Sequence, residues 1–265
     1  MPLIINADDL GYSSHRDAGI FECFAKGCIS AASLMVTGPT AESAAAKALD
    51  VGLFVGLHLN LTEGVPLSDV PLLTRLDGQM YYKDSFLALS APRLCPEQVV
   101  RETRAQIERF KVLTGYWPVH VDGHQHVHIF PGMAELLAPI FRGYGVVSTR
   151  IPDEDLSTRT WMNAARRKKY ERLFSTMVRA RLSYKKCGIC APDCFIGLAL
   201  GGLAMSQECL DKCLEGTFGT IEWMVHPGFV GVGPDLFDAS PDRLHECEQL
   251  QKLVVPLSSP WSEFH

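Results

Sequence analysis

Four histidines and an aspartate crowd into nine residues of the stretch HVDGHQHVHIFPG, which runs from His120 to Gly132. Imidazole nitrogens and carboxylate oxygens are the donors from which divalent metal sites are built, so the cluster calls for partners elsewhere in the chain. They occur at regular places. LIINADD ends in Asp8 and Asp9, FVGLHLN carries His58 near its end, PVHVDGHQHVH carries His120, Asp122 and His124, VVSTRIP carries Arg150, and IEWMVHPG delivers His226. A catalytic divalent site takes about three protein ligands and leaves positions for water and substrate. One Asp and two His satisfy that count. The paired aspartates can divide the work, one on the metal and its neighbour within reach as general base. Any one of these residues alone would read as a helix cap or a hydrogen-bonded core group; five such groups, each at the end of an apolar run, do not.

The elements that must position them alternate. Strands are expected at Leu3–Ala7, Ala32–Val36, Phe54–Leu59, Pro118–Val121, Val146–Thr149, Cys194–Ile196 and Thr220–Val225. Amphipathic helices are expected between them at Arg16–Lys26, Glu42–Leu49, Pro96–Leu113, Met133–Tyr144 and Ser206–Leu214, with a last helix starting near Pro241 and one long basic helix over WMNAARRKKYERLFSTMVRARL. Strands each followed by a helix predict a distorted (β/α) barrel with mostly parallel strands. In such a barrel the C-terminal strand ends share one face, where active sites are built, so Asp8 and His226 can meet. Two excursions, 60–94 and 151–193, are of a length that usually carries function. No repeat or composition break divides the chain, so residues 1–265 are expected to form a single domain.

Composition excludes several classes. Hydrophobic residues make up 47%, charged residues 21%, and mean hydropathy is +0.06, values of an ordinary globular protein. A net charge of -5 argues against a nucleic-acid partner. No run approaches a membrane span, and the N-terminus lacks the basic and apolar regions of a signal peptide. A cytoplasmic location is expected, with the nine cysteines mostly reduced. Homo-oligomerisation is left open.

With NADDLG, GLHLNLTEG, HVDGHQHVHIFP, TRIP and MVHPG in view, the chain resembles the YdjC-like carbohydrate deacetylases, the family that includes chitooligosaccharide deacetylases. The resemblance covers residues 1 to about 250. It implies a small carbohydrate substrate and metal-assisted hydrolysis of N-acetyl groups on amino sugars or short chitin-type oligosaccharides. It also implies His58 and His124 as metal ligands, with Asp8 and Asp9 as base and third ligand. By analogy with the broader polysaccharide deacetylases, Asp8 is the base, Asp9 the ligand, Arg150 the group that steadies the base and His226 the general acid. Descriptions of the family imply magnesium; two imidazoles and a carboxylate suit zinc or another transition metal better. The resemblance further implies a longer tail with a final strand, where this sequence reads VVPLSSPWSEFH.

Within the cluster, a turn at Gly123 is expected to swing His124 back over the strand end. His120 and Asp122 are then expected to orient neighbours, and His126 and His128 stay unassigned. If Gln125–Phe130 were helical, His124 and His128 would form a rival pair at i, i+4. CGIC at 187–190 followed by CLDKC at 209–213 is a second candidate metal site, which would make the protein a zinc-stabilised interaction module and not an enzyme. Ten Lys or Arg between Arg159 and Lys186 form a solvated helix face or an anion-binding one. GLALGG at 197–202 lacks the Lys-Ser/Thr of a phosphate loop. Trp161, Trp223, Tyr81 and Tyr82 are candidates to stack on sugar rings. The same metal, base and acid would also serve hydrolysis of a phosphoester or another amide.

Overall fold

The computed structural model describes residues 2–90, 95–171, 173–231 and 239–253. The apolar runs become seven strands: β1 (Leu3–Leu10), β2 (Ala31–Leu34), β3 (Val55–Leu59), β4 (His120–Gly123), β5 (Ser148–Thr149), β6 (Cys194–Ile196) and β7 (Ile221–Val225). They form one parallel sheet in the order β5-β4-β3-β2-β1-β7-β6. Helices α1 (Ser14–Ala25), α2 (Ala41–Val51), α3 (Lys83–Ser90), α4 (Pro96–Thr114), α5 (Met133–Gly143), α6 (Ala164–Glu171), α7 (Phe174–Lys186), α8 (Gln207–Leu214) and α9 (Pro241–Leu250) lie in the connections and after β7. The sheet curls until the segment leading into β6 reaches β5. Ser148 of β5 bridges in parallel to Cys190, four residues before β6, through Thr149 N to Cys190 O at 2.9 Å and Cys190 N to Val147 O at 2.8 Å. This is the distorted (β/α) barrel expected, joined among the described residues at one bridge where a regular barrel has a ladder.

Strand alternation divides the interior into two zones. Leu3, Ile5 and Ala7 of β1, together with Ile221, Trp223 and Val225 of β7, join the main apolar core packed with the helices. Ile4 has the opposite phase and packs with Ala31 and Phe54 in a small separate cluster. Asn6 and Asp8 share that phase, as Glu222 does on β7. The concave side of the sheet is thus apolar at its base and polar toward the C-terminal strand ends.

Several expectations are corrected. β1 runs three residues beyond Ala7, so both aspartates lie within the strand. The basic stretch is two helices: the Asn163 side chain accepts Ala165 N at 2.9 Å and starts α6 there, and Leu173, which is buried, turns back with its N bonded to Tyr170 O at 2.9 Å before α7. Three of its cations brace the fold and a fourth makes a surface pair. Arg159 donates to Lys212 O, Arg167 to Arg159 O, and Arg181 pairs with Asp153 at 2.7 Å, while Arg179 pairs with Glu135 at 3.4 Å. Trp223 is fully buried and cannot meet a sugar, and Trp161 gives its Nε1 proton to Ala199 O at 2.9 Å. Tyr81 packs on the core, and Tyr82 is exposed beneath Arg75. The segment VVPLSSPWSEFH, where the family resemblance implied a longer tail with a final strand, lies outside the described residues. Among the described residues no helix is long and apolar enough to cross a membrane.

Candidate metal centre and active site

The polar groups converge at the C-terminal strand ends because of two irregularities in the backbone. The first is in β1. Ala7 pairs with Ala32 and Leu10 with Leu34, so three steps on β1 oppose two on β2, and Asp9 takes a left-handed φ of 69°. A bulge of this kind re-aims side chains, and aspartate is among the few residues that tolerate the conformation. Two neighbours that a regular strand would send to opposite faces therefore both serve the rim. The second irregularity follows β4, where Gln125 (φ 54°) and His126 (φ 63°) are also left-handed.

Three donor atoms meet there. Asp9 Oδ1 lies 3.2 Å from His58 Nε2 and 3.0 Å from His124 Nδ1, and the two nitrogens are 3.3 Å apart. Donors roughly 2.0–2.2 Å from a shared cation in tetrahedral or octahedral order stand roughly 2.8–3.6 Å from one another, so the residues fit a divalent ion. Two other groupings bring three possible donors within 4.8 Å of one another, Asp8 with His58 and Asp122, and His120 with Asp122 and Glu222. Both include Asp122, already 2.9 Å from the Arg150 guanidinium, whose positive charge opposes a second cation. Asp9, His58 and His124 are the better set.

The second atom of each donor is also held. Arg16 grips Asp9 Oδ2 at 2.5 Å, and Asp122 Oδ1 takes the Nδ1 proton of His58 at 2.7 Å. Burial alone would raise the Asp9 carboxyl, but Arg16 and then His124 hold it well below the usual carboxylate range. Burial opposes a charge on His58, yet Asp122 pushes the imidazole up to about 10. His124 is raised against burial by Asp9 and Glu63.

Asp8 lies beside this set without being one of its donors. Arg150 binds it bidentately, Nη1 to Oδ2 at 2.5 Å and Nη2 to Oδ1 at 2.7 Å, and Asn6 Nδ2 donates to Oδ1 at 2.9 Å. Arg150 Nε donates to Glu222 at 2.6 Å. Buried among Asp8, Asp122 and Glu222, the guanidinium compensates three acids; burial nevertheless pushes Glu222 up to about 8, with Arg150 opposing. His226 Nε2 stands 3.9 Å from Asp8 Oδ2. Burial, with Arg243 next, brings that imidazole down to about 3. Its backbone N donates to Glu246 at 2.6 Å.

The remaining members of the cluster stand back. His120 meets Ser148 Oγ at 3.0 Å. His126 lies edge-on to Tyr170 and Phe195. His128 donates from Nε2 to Arg150 O at 2.8 Å. The rival His124–His128 pair is not formed, because two left-handed residues between them break the helical spacing that would align the rings. Nor does Gly123 make the turn. It is extended (φ −140°), and its missing side chain leaves room for His128, whose Nδ1 would lie 2.4 Å from a Cβ. Among the described residues no cysteine joins a group able to hold a metal, and Cys190 is exposed while Cys213 is buried. The thiolate module therefore loses its basis.

Asn6, Arg16, Glu63 and Glu222 were missed in the sequence. Asn6 and Glu222 did carry a signal, since each interrupts an apolar strand at an inward-facing position. Arg16 and Glu63 arrive from a helix start and a loop, where periodicity is silent.

Known proteins resemble this chain over most of its length. A carbohydrate deacetylase of Mus musculus is 37% identical over 286 residues, covering 98% of this chain and 90% of that protein. A chitooligosaccharide deacetylase of Enterobacter sp. (strain 638) is 39% identical over 145 residues, covering 54% and 57%. At the level of fold, the crystal structure of a candidate cellobiose-phosphate cleavage protein from Enterococcus faecalis V583 superposes with a TM-score of 0.73 at 24% identity, over 94% of this chain and 90% of that one. The YdjC-like protein family matches residues 2–255, and with this span and these relatives the chain belongs to that family.

Proposed function

We propose that this protein is a metal-dependent carbohydrate deacetylase. It would hydrolyse the N-acetyl amide of amino sugars or short chitin-type oligosaccharides, with residues 1–265 acting as one catalytic domain. The observation that carries the reading is the triangle of Asp9, His58 and His124 donors, 3.0–3.3 Å on each side, beside an Asp8 clamped by Arg150. The names of the mouse and Enterobacter relatives support the substrate class.

Asp9, His58 and His124 hold the cation, which when bound supplies Lewis acidity for amide hydrolysis. Two imidazoles and one carboxylate favour zinc or another first-row transition ion over magnesium. Asp8 accepts a proton from the attacking water. Arg150 keeps both Asp8 oxygens in fixed directions. His226 is neutral before reaction, so it becomes an acid only after gaining a proton, and Asp8 at 3.9 Å is the neighbour placed to supply it. The proton then passes to the departing sugar amine, leaving acetate and the free amino sugar. His120, Asp122, His126 and His128 support the wall of the site. A cytoplasmic location is consistent with nine unpaired cysteines.

The test is acetate release from N-acetylglucosamine, chitobiose and longer oligomers, after metal removal and after addition of Zn²⁺ or Mg²⁺. Metal-dependent acetate production is expected. Cleavage of a phosphoester with no acetate from any acetylated sugar would overturn the assignment.

A further inference from the structure

Each donor of the triangle has a second polar atom, and its partner decides which side of the residue faces an ion. For His124 that atom is Nε2, which lies 2.8 Å from Glu63 Oε2. The other Glu63 oxygen accepts the Tyr12 hydroxyl at 2.7 Å. The catalytic reading above uses neither residue.

We infer that Glu63, steadied by Tyr12, is a positioning residue for the metal centre. By accepting the N–H of His124 Nε2 it selects the tautomer that leaves the Nδ1 lone pair toward Asp9 and His58. In the opposite tautomer a proton occupies the triangle and excludes the ion, and such outer partners fix both ring orientation and basicity. The placement of Glu63 does not depend on His124. Asn60 Oδ1 accepts Thr62 N at 3.1 Å and Glu63 N at 3.2 Å, and Asn60 Nδ2 donates to Glu63 O at 2.6 Å, an asparagine turn that sets the loop locally. Gln106 of α4 holds the Asn60 backbone, accepting its N–H at 3.0 Å and donating to its carbonyl at 2.5 Å. On the other side the Arg16 guanidinium lies 3.8 Å over the Tyr12 ring while it grips Asp9. One short segment, Tyr12 to Arg16, thus braces two of the three donors from outside. The Glu63 side chain is 31% exposed against 8% for His124, which puts Glu63 on the solvent side of that ring.

The inference rests on the metal reading, and one experiment separates the two. Zn²⁺ affinity is measured on full-length wild type, Glu63→Ala, Glu63→Gln and Tyr12→Phe by competition with a chromophoric chelator. Long-range ¹H–¹⁵N correlation of the metal-free protein reports which His124 nitrogen carries the proton, and circular dichroism checks the fold. Glu63→Ala should weaken Zn²⁺ binding about 10- to 100-fold and lose the single Nε2–H tautomer. Glu63→Gln, whose amide oxygen still accepts, should recover most of the affinity, and Tyr12→Phe should lose a smaller factor. A folded Glu63→Ala within twofold of wild type, with the His124 proton still on Nε2, would overturn the inference; so would a Gln variant as weak as the Ala variant. If Glu63→Ala does not fold, Glu63→Met, similar in shape without an acceptor, takes its place with the same two outcomes. If wild type itself takes up no Zn²⁺, the metal reading fails first and this inference with it.

Discussion

Two adjacent aspartates meet opposite surroundings, and that difference decides their chemistry. Asp9 turns one oxygen to His58 and His124 and the other to Arg16; Asp8 turns both to Arg150. Asp8→Asn should therefore keep the metal and reduce acetate release at least about 10²-fold, the usual worth of a general base, read by parallel metal analysis and turnover. Arg150→Met has a structural consequence as well. It strands Asp8, Asp122 and Glu222 in the interior without their cation, and breaking a buried charge network of this kind typically costs about 3–5 kcal/mol, which urea unfolding would register. The sequence made the identity of these residues legible because they end apolar strands. It left their pairing open: an Asp-Asp dipeptide does not announce a bulge, and the direction of the Asp9 carboxylate follows from that bulge.

The elements were legible where a periodic run was long enough to be unambiguous, as in α4 and β3, whose observed bounds lie within a residue of those expected. They were illegible where a side chain far off in sequence sets the geometry. The loop after β4 is such a case, since Gln125 and His126 adopt left-handed conformations that composition does not demand. Close packing of α1 on the turn after β7 is another. A Cβ at Gly19 would lie 2.4 Å from the backbone of Gly228, two residues past His226. Gly19→Ala should cost about 1–3 kcal/mol through overpacking and lower turnover by displacing His226, which thermal melts and kinetics measure separately. The imidazoles around β4 also predict a pH dependence. Burial brings His120 down to about 3 and His128, despite its bond to the Arg150 carbonyl, to about 4. Both are neutral when folded, whereas unfolded histidine titrates near 6.5. Their contribution is intact above about 6.5 and is lost as pH falls toward 4, at about 1.4 kcal/mol per pH unit for each group. Well below pH 6.5 His58, raised to about 10, is protonated in both states and adds no slope there. Urea midpoints at pH 6.5 and 5 should therefore fall together with pH; a flat profile would contradict the buried neutral rings.

At the scale of the whole molecule, the curled sheet is what lets residues 8, 58, 124, 150 and 226 share one rim, and periodicity predicted that much. The bridge from β5 to Cys190 left no trace in the sequence, because it depends on two hydrogen bonds and on no side chain. Because the donors come from β1, β3 and the turn after β4, an ion bound there ties distant parts of the chain together. Saturating metal at 100 times its Kd should add about 2.7 kcal/mol to stability by linkage, seen as a higher melting temperature that chelator reverses. The central claim is that Asp9, His58 and His124 surround one cation. Its most direct test is anomalous diffraction from crystals soaked in Zn²⁺ or Co²⁺. The account predicts one strong peak roughly 2.0–2.2 Å from Asp9 Oδ1, His58 Nε2 and His124 Nδ1. A peak on the cysteines near 187–213, or on His128, with none among those three atoms would contradict it.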